Sequence, residues 1–301
     1  MQRSLFQRSC TLNHGKSMCY LTNFSWDEYQ QNVPTLLCIH GWLDNSESFV
    51  PLAKYLDDYQ LIIVELMGHG HSDHRSLDAH YHLIDWVYDL KLFCQQVQIS
   101  ELYLIGHSLG GAISAVLAAS EPQLVKALIL LESPGAFTQP EHELATNVHL
   151  AFESRIKMAD KRVKSATKRP KNLLPALVQM RVEKNHLAAE YAEALIKRNL
   201  YIEANSFSWR SDARLQTLSP IRLTPGQAQE ILAAIQSPVT ICLAGNGYQV
   251  IKNTIEKHLD YFTKCQVKYF DGAHHFHMPQ AQPLAQYIQR QVIEILETRQ
   301  I

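Results

Sequence analysis

The sequence predicts an α/β fold in which a mostly parallel central sheet is flanked by helices, with a helical cap inserted into the core. Three observations lead to this prediction. Short apolar runs alternate with longer amphipathic segments, the alternation stops over residues 135–236, and it resumes toward the C-terminus. We therefore expect one core built from residues 1–134 and 237–301, and a cap built from residues 135–236.

The predicted core strands are short runs of apolar residues, as expected for strands that are covered on both faces. They lie at 36–39, 61–64, 102–105, 127–131, 239–243 and 267–270. Helical patterns separate them at 46–57, 78–98, 109–120, 251–259 and 280–298. Before the first of these strands, two alternating runs around Asn13-His14-Gly15 predict a β-hairpin. In the cap, polar helical segments such as 173–199 take the place of strands.

Composition and charge narrow the class of protein. With 46% hydrophobic and 19% charged residues in 301, the chain has the composition of an ordinary globular protein. Its 28 basic and 29 acidic side chains nearly cancel, so we expect no nucleic-acid partner. No run approaches 18 apolar residues and the N-terminus lacks an apolar signal segment, which predicts a cytoplasmic protein without stable membrane insertion.

Two further expectations concern cysteine and assembly. The six cysteines are scattered without a CxxC pair, which is typical of reduced core residues. Nothing in the sequence decides the oligomeric state, so a homodimer stays open.

Residues 106–111 read Gly-His-Ser-Leu-Gly-Gly and match the G-x-S-x-G nucleophile elbow. An apolar strand precedes the motif and a helix of small residues follows it, which is the context that the motif requires. The sharp turn from strand to helix strains the middle residue, and the glycines remove side chains that would collide there. Ser108 is therefore the predicted nucleophile, with the N-terminus of a helix behind it to stabilise negative charge.

The predicted oxyanion hole lies between the loop after the first buried strand and the start of the helix that follows Ser108. His40-Gly41-Trp42 follows the first buried parallel strand, and the glycine lets the backbone approach a reacting carbonyl. We predict that the main-chain N–H groups of Trp42 and Leu109 hold the oxyanion. His40 and His107 are interpreted as structural, because a general base must reach the proton of the nucleophile.

Four motifs in this order resemble the α/β-hydrolase fold superfamily: HGW at 40–42, GHGHSDH at 68–74, GHSLGG at 106–111 and GAHHFH at 272–277. More narrowly, HGWLDN, GHSLGGAI and the cap run SFSWRSDARL resemble bacterial serine hydrolase-like proteins. The resemblance implies a hydrolase that needs no cofactor, and it names no substrate.

The catalytic histidine of the family stands in an H-x-x-H arrangement that aligns onto His274 and His277. This resemblance makes His274 the predicted general base, because a neutral serine hydroxyl needs one, and leaves His275 as the alternative. Three histidines within four residues of one loop do not form an obvious tetrahedral or octahedral set, so no metal ion is predicted.

The acid partner departs from the family pattern. The usual position is an aspartate in the loop after the seventh strand, but residues 244–248 read Ala-Gly-Asn-Gly-Tyr. Glu132 ends the strand beside that of the nucleophile, an arrangement that resembles some haloalkane dehalogenases. From there it could accept the Nδ1 proton of His274. A structural carboxylate that caps a helix or pairs with an arginine is the competing interpretation of Glu132, and Asp260 and Asp271 are the alternative acids.

These residues predict hydrolysis of a small acyl substrate. A serine at 108 argues against dehalogenase and epoxide hydrolase chemistry, which use a carboxylate nucleophile. We predict a carboxylic-ester hydrolase that forms an acyl-enzyme through Ser108, His274 and Glu132. Thioester and carbon–carbon bond hydrolysis are alternatives, as is a non-catalytic small-molecule binding protein. The candidate acyl-lining residues of the cap, for which packing is the commoner role, are Phe152, Leu174, Leu177, Tyr201, Phe207 and Trp209.

Overall fold

A computed structural model describes residues 3–165 and 169–299. Its strands are β1 (Phe6–Thr11), β2 (Ser17–Thr22), β3 (Thr35–Ile39), β4 (Gln60–Val64), β5 (Leu102–His107), β6 (Val125–Leu131), β7 (Arg169–Pro170), β8 (Leu200–Ile202), β9 (Ser206–Trp209), β10 (Val239–Ala244) and β11 (Cys265–Phe270). Its helices are α1 (Val50–Ala53), α2 (Leu83–Gln96), α3 (Leu109–Ser120), α4 (Leu144–Ser165), α5 (Leu174–Asn185), α6 (Ala189–Arg198), α7 (Pro225–Ala233), α8 (Gln249–His258) and α9 (Ala281–Arg299).

The core is an eight-stranded sheet in the order β1-β2-β4-β3-β5-β6-β10-β11. The strands from β4 to β11 in that order run parallel, whereas the β1–β2 hairpin pairs antiparallel with the edge at β4. Every residue of β3 and β4 is buried, because helices cover both faces of a parallel sheet. The predicted fold class, with a mostly parallel sheet flanked by helices, is confirmed.

The segment predicted as a cap contains α4, α5, α6 and α7, but it also holds a small antiparallel sheet in the order β7-β9-β8. Sequence analysis expected only helices there, because strands of two to four residues are too short to show alternation. The proposed boundary at residue 236 remains a prediction. Helix α7 packs against α3, and Ala228 and Leu232 lie in the same hydrophobic cluster as the sheet.

The run of residues around Asp212 and Arg214 binds the cap segment to the loops of the core. The amide of Asp212 donates to the carbonyl of Gly68 at 2.8 Å, and the Tyr81 hydroxyl donates to its carboxylate at 2.9 Å. The buried guanidinium of Arg214 pairs with Asp212 at 2.6 Å and donates to the carbonyls of Arg75, Ser76 and Ala79. This buried cluster fixes the cap segment beside the carboxyl ends of the core strands.

Two observations bear on the environment of the chain. Among the helices of residues 3–165 and 169–299, none combines the length and the apolar content that crossing a membrane requires. The six cysteines are free thiols and five of them are buried.

Candidate active site

Ser108 lies between β5 and α3, where the chain turns sharply. Its φ of 51° and ψ of −114° place a residue with a side chain in the left-handed half of conformational space, as the elbow motif predicts. The turn is compact, because a side chain on Gly106 would come within 2.6 Å of the Cα of Gly111. The amide of Ser108 donates to the carbonyl of Leu131 on β6 at 3.0 Å, which holds the strained residue against the sheet.

The start of α3 packs directly on the end of β3. A side chain on Gly110 would overlap the main-chain oxygens of Ile39 and His40, so only glycine allows this approach. Within the part of the chain that the structure describes, the amides of Trp42 and Leu109 have no hydrogen-bond partner. They are therefore free donors, one in the loop after β3 and one at the start of α3.

Two histidines hold the loop that carries Trp42. The ring of His40 donates to the carbonyl of Gly41 at 2.8 Å and accepts from the amide of Leu66 at 3.1 Å. His69 accepts from the amide of Leu43 at 3.2 Å. Burial lowers the pKa of both rings, to about 3 for His69, so they remain neutral acceptors. The structural interpretation of His40 fits these contacts.

Glu132 follows β6 at the level of the nucleophile, because His107 pairs with Leu131 in the β5–β6 register. Its carboxylate is fully buried and accepts from the amide of Ala244 at 2.7 Å. The second oxygen accepts from Nδ1 of His274 at 3.2 Å. Like Ser108, Glu132 has a positive φ, here 48°, and strain of this kind gathers at functional sites.

His274 is buried and has contacts on several sides. Tyr248 stacks on its ring with the centroids 4.4 Å apart, and Nε2 of His107 donates to its carbonyl at 3.0 Å. Because Nδ1 donates to Glu132, a neutral ring carries its lone pair on Nε2, the position that a general base needs. Burial lowers the pKa of His274 although Glu132 opposes the shift. The ring is therefore a neutral proton acceptor at neutral pH.

The structure places the alternative residues differently. Asp260 and Asp271 are exposed, and in the described residues neither is hydrogen-bonded to a histidine. His275 points to another carboxylate and donates to Asp44 at 3.1 Å. The hydroxyl of Ser108 makes no hydrogen bond to His274 among the described residues, and such contacts often tighten only when substrate is bound.

Sequence analysis missed two residues that position this histidine, Gly247 and Tyr248. Both lie in the loop after β10, where the family acid was sought and not found. A Cβ on Gly247 would overlap both carboxylate oxygens of Glu132. Glu132 thus places its carboxylate beside the loop that usually supplies the acid, and the glycine leaves room for it. The lack of a carboxylate in residues 244–248 was the available signal.

Replacing Gly247 with alanine should lower kcat/KM for an ester substrate at least tenfold, because the methyl group displaces the carboxylate from His274. In a Glu132→Ala background the same change should lower kcat/KM little further, because the carboxylate that the methyl group would displace is already absent. The measurement is kcat/KM for the four combinations. Gly245→Ala is the matched control, because its Cβ would meet only the Phe270 carbonyl at 3.8 Å. Additive losses would contradict the assignment.

The apolar cap residues divide into two groups. Phe207 is fully buried and packs in one cluster with Leu174, Leu177 and Trp209. Phe152 and Tyr201 are exposed, and the guanidinium of Arg210 lies 3.6 Å from the centroid of the Tyr201 ring. The first group therefore fills the interior of the cap, and the contacts of the six residues do not assign any of them to an acyl site.

Comparisons with known proteins agree with this architecture. A family model described as alpha/beta hydrolase fold matches residues 34–278. A serine hydrolase-like protein of Danio rerio is 26% identical over 213 residues, which cover 70% of this chain and 65% of that protein. Lipase 1 of Psychrobacter immobilis is 30% identical over 204 residues, 64% of this chain and 62% of the lipase. The crystal structure of a hypothetical protein from Pseudomonas aeruginosa superposes with a TM-score of 0.81 at 26% identity, covering 95% of this chain and 97% of that one.

Proposed function

Because the chain belongs to the alpha/beta hydrolase fold family, we propose that it is a serine hydrolase that cleaves small carboxylic esters through an acyl-enzyme. The matched regions span slightly less than two thirds of the Danio rerio and Psychrobacter immobilis relatives, at 65% and 62% of their lengths. The proposal therefore depends on the side chains of this chain. Two features together carry the proposal. Ser108 has the strained backbone of a nucleophile elbow, and His274 and Glu132 form a buried hydrogen-bonded pair.

In the proposed cycle Ser108 is the nucleophile and His274 moves the proton. The hydroxyl oxygen of Ser108 attacks the ester carbonyl while Nε2 of His274 takes its proton, and Glu132 stabilises the resulting imidazolium through Nδ1. The free amides of Trp42 and Leu109 bind the negatively charged oxygen. His274 then protonates the departing alcohol, and a water molecule activated by the same ring releases the acid and restores Ser108.

The experiment that tests this proposal combines a covalent probe with a substrate series. A fluorophosphonate should add once per chain, and peptide mass spectrometry should locate the adduct on Ser108. The unlabelled protein should hydrolyse members of a series of chromogenic esters of increasing acyl length. Its rate should fall in proportion to the fraction of chains that carry the probe. A folded protein that neither reacts with the probe nor hydrolyses any ester of the series would contradict the proposal.

A small-molecule binding protein without turnover is the second candidate, and the lack of a carboxylate in residues 244–248, the usual position of the acid, favours it. This candidate requires saturable ligand binding that survives Ser108→Ala and His274→Ala with no product formed. Turnover by the wild-type protein, lost in both variants, would rule it out. Thioester and carbon–carbon bond hydrolysis use the same residues and are distinguished by substrate series of those classes.

A further inference from the structure

Three buried side chains from distant parts of the sequence meet beside the candidate active site. Asp44 lies in the loop after β3, His107 ends β5, and His275 lies in the loop after β11. One oxygen of Asp44, Oδ2, is 3.1 Å from Nε2 of His275 and 3.6 Å from Nδ1 of His107, and one donor atom from each of the three residues lies within 4.8 Å of the other two. None of the three is more than 5% exposed.

In this cluster one ring nitrogen of His107, Nδ1, has no hydrogen-bond partner and faces a carboxylate oxygen. Its Nε2 must carry a proton, because it donates to the carbonyl of His274. In the neutral ring Nδ1 is then a bare lone pair, and it has no hydrogen-bond partner while it faces Oδ2 of Asp44. Two acceptors that face each other in a buried gap repel, and a cation between them removes the repulsion.

We propose that Asp44, His107 and His275 form a binding site for one zinc-class transition-metal ion. A tetrahedral zinc ion with bonds of about 2.0–2.1 Å places its ligand atoms roughly 3.3 Å apart, close to the 3.1 and 3.6 Å separations here. Two imidazole nitrogens and one carboxylate oxygen are donors that zinc accepts, and a fourth position stays open for water. The ion replaces the Nε2 proton of His275, which moves to Nδ1.

The surroundings of His107 and Asp44 also fit such an ion. Metal-binding histidines commonly donate their other N–H to a carbonyl, as His107 does to His274. Arg181 of α5 binds the other oxygen of Asp44, which orients the carboxylate.

Sequence analysis counted the loop histidines as one group and found no coordination set. All three rings pack against His107, but their hydrogen-bond partners differ. His274 donates to Glu132, His277 contacts Ser48 at 2.7 Å, and His275 donates to Asp44. The ligands are 63 and 168 residues apart along the chain, counted from Asp44 to His107 and from His107 to His275. No short spacing motif could reveal them.

The test uses the full chain, stripped with a chelator and titrated with Zn²⁺ in a calorimeter. We expect one ion per chain, with at least about 100-fold weaker binding in His275→Asn and in Asp44→Asn, since even loss of an outer contact commonly costs 10–100-fold. The exposed His142 is the control, and His142→Asn should bind as the wild type does. Circular dichroism checks the folding of each variant.

A second measurement keeps the proposal testable if the variants do not fold. Wild-type protein loaded with Co²⁺ should show the visible absorption bands of a four-coordinate ion, and Zn²⁺ should abolish them. Failure of the wild type to take up Zn²⁺, or equal binding by a folded His275→Asn variant, would overturn the proposal. Neither result depends on ester turnover, so both are independent of the proposed hydrolase function.

Discussion

Replacing Ser108 with alanine should lower kcat/KM for the best chromogenic ester by at least about 10⁴-fold and abolish fluorophosphonate labelling. The hydroxyl is the nucleophile that forms the acyl-enzyme in the proposed cycle, and loss of a serine nucleophile in related chemistry has effects of this size. The free amides of Trp42 and Leu109 remain, so a small residual rate above the uncatalysed reaction is expected. The measurement is steady-state kinetics with substrate-matched blanks.

Ser114→Ala is the matched control for this experiment. Ser114 lies on α3, the helix that begins directly after Ser108. It is buried, and its hydroxyl donates to the carbonyl of Gly110 at 2.7 Å. Its removal should leave kcat/KM within a few-fold while costing up to about 1.5 kcal/mol in the free energy of unfolding. Ser108→Ala should cost little in stability, because alanine keeps the strained backbone without losing a hydrogen bond. A similar loss of activity in both variants would show that α3, and not the nucleophile, had been disturbed.

The sheet could be predicted because its strands are buried runs whose length is set by local sequence. The helix from 109 to 120 was predicted with the observed bounds, whereas the helix predicted for 78–98 begins only at Leu83. Residues 79–82 lie outside the helix, and the Tyr81 hydroxyl bonds to Asp212 of the cap segment instead. The predicted helix at 46–57 is reduced to a 3-10 turn and the four-residue α1.

The parts of the site carried by local motifs could also be predicted. The strained elbow and the position of Glu132 at the end of the neighbouring strand follow from adjacency in a parallel sheet. The contact between Glu132 and Nδ1 of His274 is the one that the sequence predicted. The Asp44–His275 contact was not predicted, because it joins residues 231 positions apart and no local motif links them. The roles of these residues, the acyl substrate and the cytoplasmic location remain predictions.

Replacing His274 with alanine should lower kcat/KM by about 10⁴-fold or more, nearly as much as Ser108→Ala, because base and nucleophile act as one unit. The double variant should therefore lose little beyond either single variant. His275→Ala should lower kcat/KM by less than about tenfold, since its Nε2 donates to Asp44 and not toward Ser108. Steady-state kinetics on the three variants, with thermal unfolding to check each fold, provides the comparison.

The pH profile of the wild type supplies a readout that a structural role would not move. The acid limb of kcat/KM reports the pKa of the base in the free enzyme, and burial lowers the pKa of His274 below that of an ordinary histidine. Activity should therefore persist at pH values where an ordinary histidine is already protonated, and it should fall only as the pH drops through the lowered value. Equal losses in the two histidine variants, or an acid limb that is not lowered relative to an ordinary histidine, would contradict the assignment of His274 as the base.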